Sequence, residues 1–550
     1  MRTARMRTVA VAGAVALALA GCQKADTVTD GSKNGNGSAS SSHVGEQNDQ
    51  GNSQGKQPGN GSQNGAAQAP ATGDARLSKF YTQKPVWETC SDNSEGASAK
   101  CAWVKVPIDY SKPDGKTVKL RVLKVAANGA KNGQAPRGAL LVNPGGPGAS
   151  ATQYAMMADF IVSGTIRKNY DIVGFDPRGV GKSSPMKCLD DASMDAVMGA
   201  DPTPDDQREI EIAYGGLAKM GKGCQQKYPD LVGHVSTAEA ARDMDVVRSV
   251  LGQPKLNYLG KSYGTYLGAT YAGLFPKNVG NMILDGVMPP DLTSEQVSLG
   301  QAAGFESATR AWAKSCTSSG KCPLGNDVES VMKGLKDFFK QLDSKPLPVS
   351  GNPRIKELTE GWATIGVAQA MYTKTYWDTL TEALQSAKDG DGTPLFALAS
   401  EYASRDDNGE YENNTMQVIN AVNCLDRGAQ RWDEAQLKSK KAEFESKAPV
   451  WGGMMSFGGN SCAAWPVPAT GKIDKVSAQG SGPIVVIGTT RDPATPYEWA
   501  KRLHDQLSNS RLISHEGDGH TAYKTGSSCV DQAVDGYLMN GTPPKDGLSC

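Results

Sequence analysis

The chain has 550 residues, with 58 Lys+Arg against 58 Asp+Glu and no basic block with interleaved aromatics. That balance leaves no global field to hold nucleic acid or an anionic surface, so no nucleic-acid partner is expected. The length exceeds the usual size of one domain and predicts a core with a large insertion, or two domains.

Arg2, Arg5 and Arg7 precede an apolar stretch, Val9 to Ala20, that is too short to span a bilayer, and Leu19-Ala-Gly-Cys22 follows. Residues 1–22 therefore read as an export leader ending in a lipobox-like tetrad, which predicts a diacylglyceryl group on Cys22 and cleavage just before it. An ordinary secretory leader cut nearby is the alternative. Residues 23–75 hold almost only Gly, Ser, Asn, Gln, Ala, Lys and Asp, cannot bury a core, and read as a flexible tether with a reach of about 40 Å. The expected protein is a monomer on the outer face of the cell membrane, joined to it by lipid only. Eleven Cys less Cys22 leave ten, an even number suited to disulfides in an oxidising compartment. Connectivity does not follow from sequence, but sequential pairing would close short loops: Cys90 with Cys101, Cys188 with Cys224, Cys316 with Cys322, Cys424 with Cys462, Cys529 with Cys550. No C-x-x-C pair or H-E-x-x-H helix occurs, so neither metal nor other cofactor is expected.

The folded part is expected over 85–290, 291–415 and 416–550. Residues 101–110 and 117–125 read as antiparallel strands around a Pro-Asp-Gly turn. Short apolar runs then follow at 138–142, 170–175, 255–259, 281–286 and 482–488, with a last strand at 511–514, interleaved with helical segments. This is the pattern of an α/β protein with a doubly wound, mostly parallel sheet. The stretch 185–235 is polar, and the helix at 237–251 puts Ala241, Met244, Val247, Val250 and Leu251 on one face. Apolar residues at helical spacing over 291–415 predict a helical cap over the C-terminal edge of the sheet; its Trp312, Trp362, Tyr372, Tyr376 and Trp377 are read as core.

Gly260-Lys-Ser262-Tyr-Gly264, between a strand and a small-residue helix, fits the nucleophile elbow, in which a strained turn raises a serine above the sheet. A serine hydroxyl needs a base oriented by a carboxylate. Of five His, only His520 sits in a Gly-rich loop beyond the last strand; His43 lies in the tether and His234, His504 and His515 on other elements. Asp492, after the 482–488 strand, follows Ser262 and precedes His520 as the elbow's chain order requires. Asp285 is the weaker rival, read as structural, and Asp518 lies too near His520 in sequence. The Asn143-Pro-Gly-Gly-Pro-Gly148 turn offers amides at the correct strand end, so the oxyanion donors are expected to be the N–H groups of Gly146 and Tyr263.

These motifs, with Phe175-Asp-Pro-Arg-Gly179, Leu284-Asp-Gly-Val287, Asn423-Cys-Leu-Asp426, Asp492-Pro-Ala-Thr-Pro496 and the Cys-terminated tail, resemble the secreted tripeptidyl aminopeptidase branch of the proline iminopeptidase-like α/β-hydrolases. The likeness runs from about residue 85 to 550, departing at Asn143, where many relatives carry His. It implies the α/β-hydrolase fold and serine exopeptidase action on peptides with a free amino end, releasing tripeptides. A carboxylesterase with the same three residues is the alternative, and a non-catalytic surface lipoprotein the third. An exopeptidase must also pair the substrate ammonium with a carboxylate. Asp426, where the chain returns from the cap beside Cys424, is the residue expected to do so.

Overall fold

The computed structural model describes residues 74–90, 99–429 and 431–550. The leader, Cys22 and the tether up to residue 73 lie outside the described residues. Among those described, no helix is long and apolar enough to cross a membrane.

The strands in chain order are β1 (Glu88–Thr89), β2 (Ala99–Pro107), β3 (Thr117–Val125), β4 (Ala139–Asn143), β5 (Asp171–Phe175), β6 (Leu256–Lys261), β7 (Val279–Asp285), β8 (Leu347–Pro348), β9 (Glu357–Leu358), β10 (Ile484–Arg491), β11 (Ser510–Asp518) and β12 (Leu548–Ser549). All but β8 and β9 join one sheet in the order β1-β2-β3-β5-β4-β6-β7-β10-β11-β12. The β1, β2, β3 and β5 neighbours pair antiparallel and the rest parallel. This is the α/β-hydrolase fold, with the elbow strand β6 at the centre.

The apolar runs are continuous because the sheet is buried on both faces. Leu141, Tyr258, Met282, Leu284 and Val486 point into one core, while Leu140, Val142, Leu259, Ile283, Val485 and Ile487 point into the other. The first core continues without a break into the helical insertion, through Trp312, Leu335, Phe339 and Trp362. The insertion is thus built onto the sheet as part of one body.

Helices Ser294–Ser318, Val328–Ser344, Glu360–Met371, Trp377–Lys388 and Thr393–Ala403 occupy the expected cap. Val328–Ser344 shows why: Asp327 and Ser330 form a capping box, and Val331, Met332, Leu335, Phe339 and Leu342 make a buried stripe. The helical chain then runs on through Thr415–Arg427, Glu434–Lys447 and Gly452–Gly458 before β10. The polar stretch 185–235 contains a further helix, Gln207–Lys227, capped by Asp206. At the other end, Ala75–Leu77 and Ser78–Tyr81 are already helical, burying Leu77, Phe80 and Tyr81. All five sequential disulfides form, with Cα separations from 4.4 to 5.6 Å.

The Phe175-Asp-Pro-Arg-Gly179 motif holds the loops at the sheet edge. Asp176 is fully buried and accepts from Ser150 Oγ (2.8 Å), Thr152 N (3.0 Å) and Lys182 N (3.0 Å), fixing the helix that follows the Gly-Pro turn. Arg178 grips Asp243 with two bonds (2.8 and 2.7 Å) and donates to the carbonyls of Pro107, Ile108 and His234. Removing one partner of such a pair leaves an uncompensated buried charge. Arg178→Met should therefore cost about 3–5 kcal/mol, read as a drop in the midpoint of chemical denaturation, and adding Asp243→Asn should recover part of it. An unchanged midpoint would show that the pair does not hold these loops.

Candidate active site

Ser262 joins β6 to helix Tyr263–Leu274 at φ +55°, ψ −127°, a conformation that costs an L-residue on the order of 1–3 kcal/mol. Its neighbours compensate. Ser262 N donates to Asp285 O (2.9 Å), and Ser262 O accepts from Thr265 N (2.8 Å) and Thr265 Oγ1 (2.6 Å). The two elbow glycines are steric requirements: a Cβ on Gly260 would lie 2.4 Å from Gly264 O, and one on Gly264 would lie 2.7 Å from Asn143 O.

The base and its carboxylate meet as the sequence predicts. His520 Nδ1 lies 2.8 and 2.9 Å from the two oxygens of Asp492. With the carboxylate accepting, Nδ1 carries the proton and Nε2 keeps its lone pair; Nε2 is buried and has no hydrogen-bond partner. Asp492 is held by Ala494 N (2.9 Å), Thr495 N (2.8 Å), Thr495 Oγ1 (2.9 Å) and Thr521 N (3.1 Å). The rival Asp285 makes no hydrogen bond to the imidazole and is taken up by the loop beyond it, accepting from Ala522 N and Tyr523 N at 2.9 Å each. Asp518 pairs with Arg491. His234 bonds Glu239 and His504 bonds Ser510; His43 lies outside the described residues.

The Gly-Gly-Pro turn lies directly on the elbow. A Cβ on Gly145 would meet Ser262 Cβ at 2.8 Å and Tyr263 N at 3.0 Å, so bare backbone is needed there. Asn143, 2 % exposed, turns its Oδ1 back to accept from Gly145 N (3.0 Å). No acceptor among the described residues takes the Gly146 N–H. Tyr263 opens its helix, where an N–H has no intrahelical partner. Both expected donors are thus unengaged among the described residues, as an N–H that is to meet charge on a substrate oxygen must be.

Three residues depart from expectation. Tyr372 and Tyr376, read as core, are only half-buried; the Tyr372 carbonyl accepts from His520 N (2.8 Å) and its ring stands edge-on to the imidazole with centroids 5.4 Å apart. The cap therefore touches the base directly. Asp426, expected to receive the substrate ammonium, is 1 % exposed and already occupied: Oδ1 accepts from Thr237 N (2.8 Å) and Oδ2 from Thr237 Oγ1 (2.6 Å). Thr237 Oγ1 in turn lies 2.5 Å from Tyr263 OH. Asp426 anchors the N-terminus of helix Thr237–Val250 to the elbow helix, a structural task that uses both oxygens. Trp312, Trp362 and Trp377 are buried core, as expected.

Thr495 is a site residue that the motif could have revealed. An Asp followed two and three positions later by free amides, in a turn stiffened by Pro493 and Pro496, is an Asx-type turn that immobilises its own carboxylate. Among the described residues, one group of carboxylates converges closely enough to hold a cation: Asp343 and Glu360 of the cap with Asp201 of the 185–235 stretch. Burial, reinforced by Asp201 and Asp343, pushes Glu360 up to about 8, and Thr203 Oγ1 donates to it (2.8 Å). None of the three contacts Ser262, Asp492 or His520.

A serine held at positive φ at the end of a central parallel strand, and an imidazole oriented by a buried carboxylate, are the groups of a serine hydrolase of the α/β-hydrolase class. Comparison with known proteins narrows this. A family profile described as "TAP-like protein" matches residues 448–550. "Serine protease Hip1" of Mycobacterium tuberculosis is 35% identical over 502 residues, covering 87% of this chain and 93% of the relative. "Carboxylesterase B" of Mycobacterium tuberculosis is 38% identical over 503 residues, covering 88% and 93%. "Tripeptidyl aminopeptidase" of Streptomyces lividans is 32% identical over 477 residues, covering 84% and 86%. The chain belongs to the tripeptidyl aminopeptidase-like family of α/β-hydrolases.

Burial pushes the Asp426 carboxyl up to about 7, against the Arg427 charge and the Thr237 donors. The folded chain thus keeps a proton that the unfolded chain releases near pH 4, so this group weakens the fold as pH rises from about 4 to about 7. Asp426→Asn, which retains an acceptor for Thr237 N, should flatten that part of the stability–pH curve. Asp426→Ala should orphan the Thr237 donors and cost about 1–3 kcal/mol. Thermal melts between pH 4 and 8 check both; a curve unchanged in Asp426→Asn contradicts the assignment.

Proposed function

We propose that the chain is an exported serine exopeptidase that releases short peptides, tripeptides in the first instance, from free amino ends. The observation that carries the reading is His520: its Nδ1 is fixed by Asp492, its backbone is bound to the cap through Tyr372, and its Nε2 is buried and unengaged.

In this reading Ser262 Oγ attacks the scissile carbonyl carbon while His520 Nε2 takes its proton. Asp492 remains ionised, holds the ring and stabilises the imidazolium. The developing oxyanion is met by the N–H groups of Gly146 and Tyr263. Collapse returns the proton from Nε2 to the leaving amine and leaves the released peptide as an acyl ester on Ser262. Water, deprotonated by the same nitrogen, then hydrolyses that ester.

Selection of a free amino end requires a carboxylate for the ammonium, and with Asp426 committed to Thr237 we assign that task to Glu401. Glu401 is half-buried on the cap helix Thr393–Ala403, accepts from Tyr376 OH, and has no Lys or Arg within ion-pair distance among the described residues. Gln369, 2 % exposed, also neighbours Tyr376 and has an unpartnered Oε1. Ring-to-ring steps of 5.4 and 5.9 Å lead from His520 through Tyr372 to Tyr402, the residue next to Glu401. An extended tripeptide spans roughly 10 Å from its nitrogen to its last carbonyl, the same scale.

Five disulfides support an oxidising compartment. With the leader and tether they fit a lipoprotein joined through Cys22 to the outer face of the membrane.

A panel of free and N-acetylated peptide arylamides, with simple acyl esters alongside, tests the reading. Free tripeptidyl arylamides should be cleaved, and their N-acetylated forms should be poorer by 10- to 100-fold, the roughly 1.4–2.8 kcal/mol of one ion pair. Glu401→Gln should raise KM for the free-amine substrates by the same factor and spare the esters. Efficient cleavage of N-acetylated peptides overturns the exopeptidase reading. Ester hydrolysis with no arylamide hydrolysis favours a carboxylesterase, the chemistry in the name of one relative.

A further inference from the structure

The residue between the first elbow glycine and the nucleophile is a lysine, and it faces inward. Lys261 is 4 % exposed; its Nζ donates to Tyr523 O (2.6 Å) and Thr521 Oγ1 (3.4 Å) and lies 3.7 Å from Asp285 Oδ2. Asp285 is fully buried and is the cross-strand partner of Lys261 in the β6–β7 register. Its carboxylate accepts from Ala522 N and Tyr523 N, while its own carbonyl accepts from Ser262 N. The pair therefore sits between the nucleophile and the three residues that follow His520. That loop needs restraint, since Thr521 and Lys524 both adopt left-handed backbone, at φ +69° and +63°.

The same end of β7 lies close to the imidazole: a Cβ on Gly286 would come within 3.2 Å of His520 Cε1. Building on the Ser262–His520–Asp492 reading above, we propose that the buried Lys261–Asp285 pair is a positioning device for His520, pinning its loop and neutralising a carboxylate that would otherwise face the base alone.

Other groups around the pair are few. Asp531 and Lys524 also act on Lys261, Tyr154 of the helix Ala151–Met156 acts on Asp285, and Asp492 holds the imidazole at Nδ1. Burial drives Lys261 down and Asp285 up, and each opposes the other's shift by its charge, which is the mutual dependence the proposal requires. The interaction of Asp285 with His520 has the sign of an attraction to imidazolium.

The test is the pH profile of kcat/KM on one good substrate for wild type, Lys261→Met, Asp285→Asn and the double variant. Removing the cation leaves Asp285 to stabilise imidazolium, so the acid limb should move to higher pH by roughly half to one unit. Removing the carboxylate leaves the cation, so the limb should move down by a similar amount. The double variant should return near the wild-type limb while keeping a lower kcat, because the Asn side chain offers one acceptor oxygen where the two of Asp285 hold Ala522 N and Tyr523 N. Lys261→Arg, which keeps the charge, should hold the limb in place. Should Lys261→Met fail to fold, Asp285→Asn and Lys261→Arg decide the matter by the same two expectations. Limbs that coincide in all folded variants overturn the proposal and leave the pair a purely structural one. If the wild type itself shows no hydrolysis of arylamides or esters, the function reading has failed instead.

Discussion

The rest of the site depends on one steric constraint, the close approach of β6, the helix after it and the Gly-Gly-Pro turn around a serine held at positive φ. Gly260, Gly264 and Gly145 each stand where a Cβ would fall within 3 Å of neighbouring backbone. That crowding keeps Ser262 in a conformation it would otherwise leave, and it lays Gly145 of the Gly-Gly-Pro turn directly against Ser262 and the Tyr263 amide. The strain, on the order of 1–3 kcal/mol, is offset by bonds from Ser262 to Asp285 and Thr265 on both sides of the turn. Loops that carry the remaining chemistry are arranged around this fixed point.

Those loops are held by buried charges used as hydrogen-bond hubs. Asp176 secures the Gly-Pro turn and Asp492 the imidazole; Asp285 secures the loop beyond it, and Arg178 with Asp243 the sheet edge. Each carboxylate accepts several donors, which is how an ionised group is kept inside a protein. The cap adds a further constraint. A Cβ on Gly519 would lie 2.9 Å from Tyr372 O, so the residue before His520 must be glycine for the cap carbonyl to reach His520 N. Base and cap are therefore joined through this one backbone contact.

Much of this was legible in the sequence. The parallel strands are short apolar runs because both faces are buried, and such runs stand out from polar surroundings; the elbow is local, five residues with fixed steric needs. Ser262, Asp492 and His520 follow from chain order once the elbow is found, because few His exist. What was not legible depends on partners distant in the chain. Asp426 reads as an acid beside a disulfide, and only the fold shows it 189 positions from its partner Thr237. Lys261 reads as an interchangeable residue of the elbow, yet its ammonium is satisfied by residues about 260 positions away. Tyr372 acts through its carbonyl, which any residue would supply, so its identity carried no signal. Helices 75–81 and 207–227 were hidden in polar stretches whose few apolar residues suffice to pack against a core already formed.

The most direct measurement is to treat the protein with an organophosphorus probe and locate the adduct by peptide mass spectrometry. A serine activated as described predicts one stoichiometric adduct on Ser262, abolished in Ser262→Ala with the fold intact and slowed by about three orders of magnitude or more in His520→Ala. An adduct on another serine, or labelling of Ser262→Ala at the wild-type rate, would contradict it.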